Sequence, residues 1–137
     1  MRSFEKNICC TGFFIFVLFL APLARASDVC DALHGAKIIA DDGKYLGTVD
    51  GPYGGDSIFN EYSAYGSSYS GDSIWNEYGS YGGEYSSSSP FNKYSSNPPM
   101  IIKNRKIIAF LTVNDSIDGA VNPIKLGVVC YDVVMRR

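Results

Sequence analysis

Apolar residues are spread along this chain in four different ways, and each way predicts a different kind of element. Residues 13–20 form a continuous apolar run, extended by Ala21, Pro22 and Leu23, preceded by Arg2 and Lys6 and followed by Ala24-Arg25-Ala26. That order of basic, apolar and small-x-small residues predicts a secretory signal peptide cut after Ala26. The run is well short of the roughly 20 residues a membrane-spanning helix needs, and Pro22 breaks it. No cysteine follows the small residues to take a lipid. Next, Val29, Cys30, Ala32 and Leu33 sit at helical spacing behind Ser27 or Asp28, either of which can cap a short helix, and His34 and Gly35 end it.

The third pattern is β-branched. Residues 37–40 and 44–49 flank Asp41-Asp42-Gly43, and residues 100–103 and 106–113 flank Asn104-Arg105. Each reads as a hairpin. Ile38-Ile39 is echoed by Ile101-Ile102 and Thr48-Val49 by Thr112-Val113, so the two hairpins are expected to pack as equivalent halves of one small sheet or barrel. A last apolar and β-branched run, residues 124–134, is expected to add a C-terminal strand.

Between the hairpins lies the fourth pattern, aromatic rings spaced through polar residues. Sixteen residues beginning G-D-S-I-F-N-E-Y at Gly55 are followed by G-D-S-I-W-N-E-Y at Gly71, and S-S-S-P-F-N-K-Y follows from Ser87. Ser57, Ser73 and Ser89 fall in register, as do Phe59, Trp75 and Phe91, then Asn60, Asn76 and Asn92, then Tyr62, Tyr78 and Tyr94, while Tyr53, Tyr69 and Tyr85 share the same period. A period held that closely makes each copy one structural unit. Within a copy, Asp-Ser is expected to cap one short helical turn over Ile-Phe/Trp-Asn-Glu-Tyr, which the following Gly or Ser ends. The fold expected is mainly β: residues 27–137 as one domain, with a short N-terminal helix, two hairpins, a C-terminal strand and the repeat as an irregular insertion over residues 51–99.

Charge and cysteines narrow the setting. Without residues 1–26 the chain keeps 111 residues (137 minus 26), enough for one modest core. Its basic residues number 9 (12 less Arg2, Lys6 and Arg25) and its acidic residues 13 (14 less Glu5), a net charge of −4. That balance argues against nucleic acid as a partner. Cys9 and Cys10 leave with the signal, so Cys30 and Cys130 are left to pair in an oxidising compartment, tying the start of the domain to its last strand. Neither belongs to a C-x-x-C, and the sole histidine, His34, reads as an end-of-helix residue.

No catalytic pattern emerges: H-E-x-x-H, G-x-S-x-G and a phosphate-cradling glycine loop are all absent. Glu61 and Glu77 occupy equivalent repeat positions, which repeat symmetry explains without glycoside hydrolysis. Asn114-x-Ser116-x-Asp118-Gly119 copies the opening of a calcium loop, but its twelfth position is Lys125, so it reads as an Asx-rich turn; Asn114 also heads a glycosylation sequon. No metal and no cofactor are expected. Two readings of the repeat stand side by side. In one, Ile58, Phe59, Ile74, Trp75 and Phe91 fill a core. In the other, Tyr62, Trp75, Tyr78 and Tyr94 present ring faces to a ligand, with Asn60, Asn76 and Asn92 as polar handles.

The repeated Y-G-x-x-Y-S with S-I-W-N-E-Y-G, entered from G-K-Y-L-G and left through N-P-P, resembles a pattern in small exported bacterial proteins of uncharacterised function. The resemblance implies a periplasmic or secreted protein and no activity. The function expected is therefore a non-enzymatic exported binding or cell-envelope structural protein, its partner a glycan or another envelope protein. The alternative is a periplasmic inhibitor or immunity-type protein that fills another protein's active site.

Overall fold

A computed structural model describes residues 25–137. The signal-peptide reading falls on residues outside that range, apart from Arg25 and Ala26. Seven elements follow in order: α1 (Ala26–Leu33), β1 (Lys37–Ile39), β2 (Tyr45–Thr48), β3 (Met100–Lys103), β4 (Lys106–Leu111), β5 (Ala120–Val121) and α2 (Pro123–Tyr131). The strands form one sheet in the order β2-β1-β3-β4-β5, mainly antiparallel with a parallel step to β5.

Both hairpins form where their turn residues call for them. Gly43 takes φ +87° in the first, and Asn104 and Arg105 take φ 52° and 65° in the second, the pair of positive values a two-residue hairpin turn requires. The hairpins join through their inner strands, with Ile38 opposite Ile101, so they are the two halves of the sheet that their echoing sequences predict. Ile38, Leu46, Ile101 and Leu111 are buried on its inner face. Across the chain, Lys103 sends its ammonium to the carbonyls of Asp31, Ala32 and His34 at 3.2, 3.0 and 2.9 Å, supplying donors that the last turn of α1 lacks.

The C-terminal run is a helix, not the strand its β-branched residues suggest. Asn122 caps it, its Oδ1 accepting from the N–H groups of Ile124 and Lys125 at 2.9 and 3.2 Å, and Pro123 occupies the first turn. Cap and proline together outweigh the modest helix propensity of Ile124, Val128 and Val129. At the N-terminal helix the cap is Arg25 rather than Ser27 or Asp28; Asp28 sits in the first turn and accepts from the Arg25 N–H.

Cys30 and Cys130 are bonded, with Cα atoms 5.4 Å apart. Because residue 130 is helical, the bridge joins α1 to α2 instead of reaching a last strand. It closes a loop of 100 residues that contains the whole repeat. Replacing both cysteines by alanine is expected to lower the unfolding free energy by about 2–5 kcal/mol, measured by urea titration. An unchanged midpoint would show that helix packing alone holds the two ends together.

Candidate functional site

The repeat is built from consecutive β-turns. No helical turn forms in it; every third residue instead donates its N–H to the carbonyl three residues back. The series runs through residues 51, 54, 57, 60 and 63, makes one four-residue step to 67, and continues through 70, 73, 76 and 79, then 83, 86, 89, 92 and 95. One coil therefore holds five turns, in steps of three, three, three, three and four. The coils are residues 51–66, 67–82 and 83–98, three in number and beginning four residues earlier than the sequence phrasing suggests.

The fifteen turn-opening positions show why this chain folds so. Gly51, Gly54, Gly79 and Gly83 are glycine, and the remaining eleven are serine or asparagine. Each of those eleven uses its side-chain oxygen to accept the N–H two residues on: Ser57 from Phe59 at 3.0 Å, Asn60 from Tyr62 at 3.0 Å, Ser63 from Tyr65 at 3.2 Å, and so to Ser95 from Asn97 at 3.2 Å. A β-turn leaves that N–H without a partner, and a short side chain one place before the turn's centre supplies one.

The asparagines brace the ring as well. The Nδ2 groups of Asn60, Asn76 and Asn92 donate to the carbonyls of Gly54, Ser70 and Ser86 at 2.8, 3.1 and 3.1 Å, while each Oδ1 accepts from Tyr62, Tyr78 or Tyr94. Both ends of each amide are engaged within the coil. These residues are structural braces, which corrects their reading as polar handles for a ligand.

Trp75 is corrected likewise. Phe59, Trp75 and Phe91 stack coil upon coil with ring centroids 6.2 and 5.4 Å apart, exposed by only 1, 0 and 6 %. The indole N–H of Trp75 donates to the Ile58 carbonyl of the coil before it. A buried indole needs such a partner, and with it Trp75 presents no ring face to a ligand. Residues 131–137 close both ends of the stack: Tyr131 lies 5.4 Å from Phe59, and the Arg137 guanidinium covers Phe91 at 3.8 Å and donates to the Gly82 carbonyl. Burial lowers the pKa of that guanidinium and pushes the Tyr131 phenol up to about 12, the Asp50 carboxylate adding to the latter.

The first hairpin clamps the coils from another side. Tyr45 donates to Asp56 at 3.1 Å, Lys44 pairs with Asp72 at 3.2 Å, and Tyr81 donates to Asp42 at 2.7 Å. Burial, then the Asp56 carboxylate, raise the Tyr45 phenol to about 12, and the bond from Tyr81 holds the Asp42 carboxyl below its ordinary range.

The other tyrosines point out. Tyr62, Tyr78 and Tyr94 are 95, 98 and 81 % exposed, and Tyr53, Tyr69 and Tyr85 form a second row at 95, 92 and 88 %. Among the described residues none of these six hydroxyls makes a hydrogen bond, although Lys93 lies 5.2 Å from the Tyr94 ring. The second row was not among the ligand-facing residues read from the sequence, and its sixteen-residue period was the sign that could have found it. Tyr53 and Tyr62 line one concavity with Glu61, Tyr131 and Val133; Tyr69 lines a neighbouring one with Glu61, Ser68 and Arg136. Tyr53, Tyr62 and Tyr69 thus border a trough along residues 133–137, at the first coil and the start of the second.

Other candidate chemistry takes ordinary places. His34 Nδ1 lies 2.8 Å from the Tyr131 hydroxyl at the exposed end of α1. Asn114 accepts from the Ser116 N–H at 3.1 Å, an Asx turn, and donates to the Ser95 carbonyl at 3.0 Å, fixing the loop to the third coil. Among the described residues no three His, Cys, Asp or Glu side chains are grouped to hold a metal ion, and no helix is long and apolar enough to cross a membrane.

Ring closure rests on glycine at the four-residue step. A Cβ on Gly82 would meet the Asn76 carbonyl oxygen at 2.2 Å, and one on Gly66 the Asn60 oxygen at 1.9 Å, whereas one on Gly71 would enter open space. Gly82→Ala is therefore expected to cost about 1–3 kcal/mol or more, and Gly71→Ala less than ~0.5 kcal/mol. Chemical denaturation checks both, and equal midpoints would show that coil closure does not need Gly82. Compared with models of protein families, with curated proteins and with solved structures, the chain matches none.

Proposed function

We propose that this is a non-enzymatic binding protein of the cell envelope or its surroundings, and that the two outward tyrosine rows are its ligand face. One observation carries the reading: six tyrosines recur as a pair in each coil, almost fully exposed, where the fold does not require them. The turn position they occupy accepts Asp56, Asp72 or Ser88 equally well. Tyrosine offers large contact area at low entropic cost together with a polar tip, and a regular array of exposed rings is otherwise a liability to solubility. The disulfide fits an oxidising setting outside the cytoplasm. A glycan or another envelope protein suits such a face.

An inhibitor would act through a protruding acidic loop. Asp115 and Asp118 are exposed, but Asn114 ties their loop back onto the third coil. The tyrosine face is therefore the stronger reading. Substituting Tyr62, Tyr78 and Tyr94 together by alanine should leave stability nearly unchanged, because none is buried. The same variant should lose capture of its partner from envelope extract and its signal on a glycan array. Trp75→Ala serves as the contrast, since losing a fully buried indole costs about 3–5 kcal/mol and should appear as a lower melting temperature. Full binding by the triple variant would sink the proposal.

A further inference from the structure

The face has a repeat of its own, and that repeat restricts what can occupy it. Each coil presents the same pair of outward rings, Tyr53 with Tyr62, Tyr69 with Tyr78, Tyr85 with Tyr94. A ligand that gains from all three coils must offer the same group three times along a line across them. We infer that the occupant is an extended, uncharged polysaccharide chain lying along the exposed tyrosine rows, successive sugar rings against successive coils. This inference rests on the binding-face reading of the previous subsection.

Ring geometry favours sugars over an extended peptide. An extended peptide alternates its side chains between two faces, so only every second residue would meet the tyrosines. A linear chain of pyranose rings joined equatorially repeats at about the width of one ring, and each ring offers a flat C–H face to an aromatic side chain. Bulk hydrophobic docking fits less well. The trough mixes ring faces with Glu61, Ser68 and Arg136, and sugars pair apolar faces with hydroxyls at the rim, so they use both kinds of group.

Charge disfavours anionic polymers. Residues 50–99 hold six carboxylates and one lysine, and Glu61 and Glu77 stand beside Tyr62 and Tyr78 with their side chains exposed. A uronic acid polymer, a nucleic acid or a teichoic-type phosphate chain would meet like charge at the first two coils, where Asp56, Glu61, Asp72 and Glu77 lie. Neutral sugars meet none.

Chain length is the test. Soluble β-1,4-linked glucose and N-acetylglucosamine oligomers, graded from disaccharide to hexasaccharide, are titrated calorimetrically against the disulfide-bonded protein. Affinity should rise with each added sugar until the coils are spanned and then level off. Tyr78→Ala in the central coil should weaken the longer oligomers about tenfold, while Tyr78→Phe, which keeps the ring, should bind within about twofold of wild type. Binding that is independent of length, or unchanged in Tyr78→Ala, overturns the inference. If no oligomer binds but the alanine variants still lose an envelope protein in pull-down, the polysaccharide is wrong and the tyrosine face stands. If neither binds, both fall.

Discussion

The structure depends on one local interaction repeated eleven times, a serine or asparagine oxygen accepting the N–H two residues ahead. Residues 51–98 have no strand ladder and no helix to absorb their backbone groups. Ordering such a glycine- and serine-rich segment costs on the order of 1–2 kcal/mol per residue in backbone entropy, so any backbone group left bare would be hard to offset. The three-residue turn uses one N–H in its own closure. The side chain of the opening residue takes the next, and the third is left to the coil interior or to water. Larger residues at the opening position would lack either the reach or the acceptor. The whole segment thereby becomes regular without being helix or sheet.

Regular turns alone would still be a ribbon. What makes them a stack is the ring at the third turn of each coil, where Phe59, Trp75 and Phe91 pack across coils at tilts of 49° and 52°, with Ile58, Ile74 and Pro90 buried beside them. The stack has two ends, and the same stretch of chain closes both, Tyr131 at one and Arg137 at the other. That stretch is held by α2, and α2 is bonded to α1 by the disulfide. Hairpin, helices and coils therefore share one core: Leu33, Ile38, Leu46 and Leu126 belong to the same buried cluster as Trp75. Long-range closure by the disulfide matters most for a fold of this kind, because the coil contacts are local and the sheet contacts are not.

The hairpins were legible because β-branched pairs flank short polar turns, Asp-Asp-Gly and Asn-Arg, whose Gly43 and Asn104 tolerate the positive φ each turn takes. The sixteen-residue period was equally plain. Its inner period of three was not, because one four-residue step per coil breaks the count at Gly66 and Gly82, so an Asp-Ser that belongs to two successive turns read as a helix cap. Residues 124–134 misled through composition; Asn122-Pro123 was the better guide and was outvoted by valine. Trp75 misled by type. Tryptophan suits both a core and a ligand face, and only the cross-coil bond to Ile58 decides between them. For the asparagines the partner six residues back is equally invisible to a linear reading.

Each coil divides its aromatic residues between two duties, and the third coil shows that the duties are separable. There the inward isoleucine becomes Pro90, the half-buried tyrosine seen at Tyr65 and Tyr81 becomes Asn97, the acidic residue becomes Lys93, and the closing glycine becomes Pro98. These are the positions that would respond to a change of neighbour, since this coil is tied to the 113–114 segment, with Val113 donating to the Pro90 carbonyl and Asn114 to the Ser95 carbonyl, and not to a further coil. Tyr85 and Tyr94 remain at both outward positions all the same. If the outward rings served coil stacking, the coil whose packing partners differ most would be where they should be lost. They persist where packing does not ask for them, which is the observation behind the proposed ligand face.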